Sequence, residues 1–189
     1  RDASAAAARI VGFVEQIEGM KINTRTSWAS SGRHESVAEH SWRLAMLAMA
    51  TGPHLPDIDT CHLLELCLVH DLGEVFDGDV PAPEQGGDAA KETRERAAVH
   101  ELAAGLGPST SQRIRSLWEE YNAGDTPAAR AAKALDKIET IIQHNQGANP
   151  ADFDYAYNLS YGASLAHEAP ILVELRNLVD EATGRRAGR

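Results

Sequence analysis

His70 and Asp71 stand side by side at the end of an apolar run, Cys61-His-Leu-Leu-Glu-Leu-Cys-Leu-Val-His70-Asp71, and Leu-Gly-Glu74 follows at once. Two adjacent side chains able to ligate metal are costly to bury at a helix end without a cation. His40 falls on the inner stripe of an earlier helical pattern, and Asp136 inside a later one. Two imidazoles and two carboxylates make a ligand set for a divalent cation that leaves positions open for water and substrate, which is the chemistry of hydrolysis. Each residue has a blander reading: His40 and His70 as hydrogen-bonded core histidines, Asp136 as the ion-pair partner of Lys137. Asp71 tips the balance, because an unpaired buried carboxylate needs a cation.

The elements that must position these residues are helical. Val37, His40, Leu44, Leu47 and Thr51 recur at the spacing of one helix face. Ser36 and Glu39 form a capping-box pattern at its start. Gly52-Pro53 ends that helix, and Asp57 or Asp59 can cap the next, whose inner stripe is Leu63, Leu66, Cys67 and His70. The stretch 77–87 is rich in turn residues, and as a loop directly after the His-Asp pair it could overhang a site. Helical periodicity resumes from about Ala89 to Leu106 and from Ser109 to Tyr121. Pro127 opens a helix to His144 with Ala131, Leu135, Ile138 and Ile142 inward, and Asp136 and Glu139 beside that stripe. Residues 145–154 read as a loop, and a last helix runs from Pro170 to Ala182. No alternating β-branched stretch suggests a sheet. The expectation is an all-α, single-domain helical bundle over residues 1–189, with its core at about 13–181.

At 189 residues, with 43% hydrophobic and 24% charged residues, the chain can bury a core without disulfides. Cys61 and Cys67 match no zinc or redox spacing and read as reduced thiols in a cytoplasmic protein. No apolar run reaches the roughly 18 residues needed to span a bilayer. The Ala-rich start reads as a processed terminus rather than a signal peptide. A net charge of −10 repels polyanions, so a nucleic-acid polymer is not an expected partner. A small phosphate can still bind where a metal and a few cations converge.

Four ordered motifs carry a resemblance. Glu-Ser-Val-Ala-Glu-His-Ser-Trp (35–42), Leu-Val-His-Asp-Leu-Gly-Glu (68–74), Gly-Asp-Val-Pro (78–81) and Asp-Lys-Ile-Glu (136–139) resemble the HD-domain metal-dependent phosphohydrolases, and within them the 5′-deoxynucleotidase branch. The likeness runs from about Phe13 to Glu181. It implies one divalent metal ion (Mn, Fe, Co, Ni or Zn) on His40, His70, Asp71 and Asp136. It also implies a catalytic acidic residue at Glu74, a sugar-contacting aspartate at Asp79, and a phosphate-binding arginine with a neighbouring tryptophan at Arg25 and Trp28. The implied substrate is a (deoxy)nucleoside 5′-monophosphate, cleaved to nucleoside and phosphate, and the expected assembly is a homodimer. Arg25 as a solvated loop cation is the plainer alternative. Lys91 and Glu95, one helical turn apart, read as an ion pair, with Lys91 available to supplement phosphate binding. His34 could reach the pocket mouth, and His100 reads as packed or exposed.

One segment departs from the family's pattern: Gln143-His-Asn-Gln-Gly-Ala-Asn-Pro150, then Asp152-Phe-Asp-Tyr-Ala-Tyr157, stands where an acidic-aromatic segment is usual. If it borders the pocket, the substrate could be a non-nucleotide phosphate ester. Two rivals share the scaffold. A di-iron oxygenase needs two further histidines between Asp71 and Asp136, where only His100 lies. A ligand-sensing module would have lost Glu74 or a ligand, and none is lost.

Overall fold

The helix that carries His40 begins as its sequence demands. Ser36 accepts from the Glu39 amide while the Glu39 carboxylate accepts from the Ser36 amide, a reciprocal cap that fixes the start of α3 (Val37–Thr51). The computed structural model describes residues 3–79 and 88–188. Before α3 come α1 (Ala3–Gln16), the single turn α2 (Gly19–Ile22), and two short strands, β1 (Thr24–Trp28) and β2 (His34–Ser36). Those strands pair antiparallel, with Thr24 opposite Ser36 and Trp28 opposite His34. The unequal spacing is a bulge. This small sheet corrects the all-helical expectation locally: five and three residues are too few to show an alternating pattern. Elsewhere the fold is all-α.

Asp59, not Asp57, caps α4 (Thr60–Val69), accepting from the Cys61 amide at 2.9 Å. His70 ends α4, and a 3-10 turn over Leu72–Glu74 carries the chain away. Then follow α5 (Asp88–Ala104), α6 (Pro108–Ala123), α7 (Pro127–Gln146) and α8 (Pro170–Arg186). Helix α7 is central and packs against α3, α4, α6 and α8. Its burial is not confined to the predicted stripe: Ala128, Ala132, Ala134 and Ile141 are buried too, whereas Ile142 is only partly so. A helix buried nearly all round, polar residues such as Asp136 and Glu139 included, is one surrounded by neighbours. The core joins Leu44, Leu63, Leu66, Trp118 and Leu135 across these helices.

The part of the 77–87 loop from Val80 onward lies outside the described residues. Among the described residues, no helix is long and apolar enough to cross a membrane.

Candidate active site

Three helices bring four predicted residues to one point. His40 Nε2 lies 3.1 Å from Asp136 Oδ1 and 3.9 Å from Asp71 Oδ2. His70 Nε2 lies 3.0 Å from Asp71 Oδ2 and 4.0 Å from Asp136 Oδ1. One ligand atom each from His40, His70 and Asp71 fall within 4.8 Å of one another. Both imidazoles are oriented from behind. His40 Nδ1 meets Glu139 Oε2 at 2.5 Å, and His70 Nδ1 meets the Cys67 carbonyl at 2.8 Å. Carboxylates and carbonyls only accept, so both rings donate from Nδ1 and turn Nε2, the nitrogen left for a cation or a proton, toward the shared space.

Those two Nε2 atoms are buried and lack hydrogen-bond partners. A cation between them and the carboxylates is what such atoms fit. The carboxylates are prepared in the same way. Asp136 Oδ2 accepts from Tyr121 Oη at 3.0 Å and Lys137 Nζ at 2.9 Å, leaving Oδ1 for the shared space. Burial disfavours its charge, but Lys137 and the two histidines outweigh burial and hold it well below the usual carboxylate range. Asp71 is also held low against its burial, by His70 and Arg25. Burial and Arg25 press the His40 pKa down, yet Asp136 and Glu139 carry it up to about 9. The donor set attracts positive charge strongly enough to recruit a proton, and a divalent cation suits it better.

Around this point lies a cavity of about 710 Å³, lined among others by Arg25, Glu74, Asp79, Lys91 and Thr140. Burial, with Asp71 and Asp79 nearby, pushes the Glu74 carboxyl up to about 10, so it holds its proton at neutral pH. Gly73 lets this turn approach α5: a Cβ there would sit 2.4 Å from Glu95 Cβ. The approach puts Lys91 Nζ 3.6 Å from Glu74, 3.7 Å from Asp79 and 3.4 Å from Glu95, so Lys91 is a shared cation in the cavity wall. Arg25 is on a strand, not in a solvated loop. Its Nη1 donates to Asp71 Oδ2 at 3.3 Å and its Nη2 to Thr140 Oγ1 at 3.2 Å, with Nε 3.6 Å from Glu35.

Trp28 stands apart from the cavity lining. Its ring packs 4.5 Å from His34 and edge-on to Phe153 at 6.5 Å. Arg25, Thr26 and Ser27 line the cavity, and Trp28 does not. His34 goes with it, bonded to the Arg25 carbonyl at 2.9 Å and outside the cavity lining. His100 is exposed on α5.

The HD domain family model matches residues 17–175, most of the chain. The chain belongs to the HD-domain family. It is 32% identical over 142 residues to the 5′-deoxynucleotidase HDDC2 of Xenopus laevis, covering 74% of this chain and 70% of that protein. With the Homo sapiens protein of the same name it shares 30% identity over 142 residues, covering 74% and 69% of the two chains. A solved structure described as a "predicted metal-dependent phosphohydrolase" from Magnetospirillum magnetotacticum superposes with a TM-score of 0.80 at 28% identity, over 97% of this chain and 98% of that one.

Several residues of this HD-domain site carry no sequence signal of their own. Glu139 reads in the sequence as a member of Asp-Lys-Ile-Glu (136–139) beside the inward stripe of its helix, with nothing to tie it to His40, 99 positions earlier, which it orients. Tyr121 reaches Asp136 from α6, and Thr140 reaches Arg25 from α7. The three- and four-residue spacing of Asp136, Glu139 and Thr140 was the available hint, since it places them on neighbouring turns.

Proposed function

We propose that this chain is a metal-dependent phosphomonoesterase that hydrolyses deoxynucleoside 5′-monophosphates to nucleoside and phosphate. One observation carries the reading: two buried imidazole nitrogens without hydrogen-bond partners and two carboxylates converge at the cavity that Arg25 and Glu74 also line. The names of the relatives, 5′-deoxynucleotidases, supply the substrate class.

His40, His70, Asp71 and Asp136 hold one divalent cation, of the group Mn, Fe, Co, Ni and Zn. Such a cation supplies Lewis acidity, neutralising charge on the phosphoryl oxygens and making water acidic enough to attack near neutral pH. Arg25, held in place by Asp71 and Thr140, pairs with phosphate oxygens in a planar fork. Water oxygen bonds to phosphorus as the bond to O5′ breaks; Glu74 gives its proton to the departing O5′, and the proton released by the attacking water restores the Glu74 carboxyl, leaving nucleoside and hydrogen phosphate. Lys91 lies within 4 Å of Glu74 and stabilises the carboxylate left behind. Asp79 faces the sugar at C2′, where a fixed carboxylate disfavours an added hydroxyl.

The stripe of exposed apolar side chains on α3, Trp42, Met46 and Met49, supports a homodimer through this face. The free thiols of Cys61 and Cys67 suit the reducing cytoplasm.

Phosphate release from a panel of deoxy- and ribonucleoside 5′-monophosphates, run with each metal, tests the assignment. Deoxynucleotides are expected to react faster, with about one metal equivalent per chain that Asp71→Ala loses. Two irons per chain and no phosphate release would replace this reading with the oxygenase class.

A further inference from the structure

The segment that departs from the family's pattern does border the cavity, through His144 and Tyr157, and Tyr161 and Leu165 just beyond it line the cavity too. Tyr157 is 58% exposed, and its ring lies 5.6 Å from that of Tyr161 at an interplanar angle of 32°. Exposed rings usually sit on loosely held chain. This chain is held firmly. Arg176, buried on α8 and paired with Asp180, donates to the carbonyls of Tyr161 at 2.6 Å, Asn158 at 2.8 Å and Leu159 at 3.1 Å. Asn158, itself buried, bonds His144 of α7 at 3.0 Å. Gly162 has φ +65°, and a Cβ there would fall 2.5 Å from Lys137 Cγ. Only glycine lets the turn lie this close to α7. Lys137 then links the two regions, with Nζ 2.9 Å from Asp136 Oδ2 and 5.1 Å from the Tyr161 ring centroid.

We propose that Tyr157 and Tyr161 are the surface on which the substrate's nucleobase stacks. The inference rests on the nucleotide reading above and names the residues that decide which phosphate esters the site accepts. A nucleobase is a flat π face with a polar rim, and an aromatic side chain held at a fixed angle matches that face. With phosphate at Arg25 and the metal ligands, the base must lie on another wall of the same cavity, and the tyrosine pair is an aromatic wall anchored to α7 beside Asp136. Every base has such a face, so the wall selects for the presence of a base far more than for its identity.

The test compares deoxynucleoside 5′-monophosphates with deoxyribose 5-phosphate, which has the same sugar and phosphate without a base. In wild type, nucleotides should have the higher kcat/KM. Tyr157→Ala should lower kcat/KM on nucleotides roughly ten- to a hundred-fold, mainly through KM, while deoxyribose 5-phosphate stays within about twofold. Tyr157→Phe should behave as wild type, because stacking uses the ring and not the hydroxyl. Equal losses on both substrates would make the tyrosine structural and overturn the proposal. Wild type that cleaves deoxyribose 5-phosphate as well as nucleotides would overturn the stacking surface while leaving the phosphomonoesterase standing. Phosphate release from other esters but from neither of these would remove the nucleotide reading and the stacking surface together.

Discussion

In one part of the site, His40, His70, Glu74 and Asp136 are all buried. His40, His70 and Asp136 each have one polar atom tied to a partner behind and one turned inward. Elsewhere in the cavity lining, Tyr157 and Tyr161 offer ring faces, and it is the backbone about them that is tied, to Arg176. The first wall fixes side-chain atoms, because a cation and a proton transfer tolerate errors of only a fraction of an ångström. The second fixes the chain and leaves Tyr157 exposed and Tyr161 partly so, which suits the proposed stacking, a contact tolerant of base identity. Chemistry and selection are thus built by different devices. Substitutions should separate them: on the first wall they should change metal content or kcat, and on the second KM and substrate range.

The largest effect should come from Glu74→Gln. This variant should keep its metal and lose roughly a hundred- to ten-thousand-fold in kcat, the usual contribution of a general acid. Turnover like wild type would remove Glu74 from the proton transfer. The same variant has a signed stability effect in metal-free protein. Burial, Asp71 and Asp79 raise the folded-state pKa to about 10 from the ordinary 4.5. The folded state therefore retains a proton that the unfolded chain releases, and this group's contribution is lost as pH rises from about 4.5 to 10. Gln has no proton to retain. Thermal melts of the metal-free pair should coincide near pH 4 and diverge in favour of Glu74→Gln by pH 8. A gap that widens toward acid would contradict the burial of a neutral carboxyl.

Glu139→Gln should come next. Removing a carboxylate behind a metal-bound histidine typically weakens metal affinity ten- to a hundred-fold. Gln accepts through its carbonyl but carries no charge, so His40 keeps its orientation and loses basicity. Metal titration should show the loss, while kcat at saturating metal changes little. An unchanged affinity would mean that Asp136 and Asp71 alone set the cation's binding.

The same division governs what could be read before the fold was known. The first wall depends on adjacency and helical spacing: His70 beside Asp71, the Ser36–Glu39 cap that aims His40, and Asp136 on a long periodic helix. Local patterns carry those. Long-range closure is what stayed hidden, such as the contact of Glu139 with His40, and Tyr121 reaching in from α6. Arg25 was legible as a residue but not as part of a strand, since β1 is only five residues long and is held by its pairing with β2. The 143–157 segment stood out as a departure from the family's pattern. Its meaning depends on the turn that follows it, residues 158–161, which Arg176 clasps from 15 to 18 positions further on.

The smallest kinetic effect should be at Trp28, and it sharpens the contrast with Tyr157. The family likeness assigns Trp28 to substrate binding, whereas its ring packs on His34 and Phe153 outside the cavity lining. Its main-chain carbonyl, which survives any substitution, accepts from Gln143 at 2.6 Å and ties β1 to α7. Trp28→Ala therefore keeps the backbone that presents Arg25 and loses only the ring's packing. For a half-buried ring that loss should be about 1–2 kcal/mol, below the 3–5 typical of a fully buried one. The expected outcome is a lower Tm with kcat/KM within about twofold of wild type. Tyr157→Ala should show the reverse, a near-normal Tm with a raised KM. A tenfold loss of kcat/KM in Trp28→Ala at unchanged Tm would place the tryptophan against substrate and extend the selecting wall across β1.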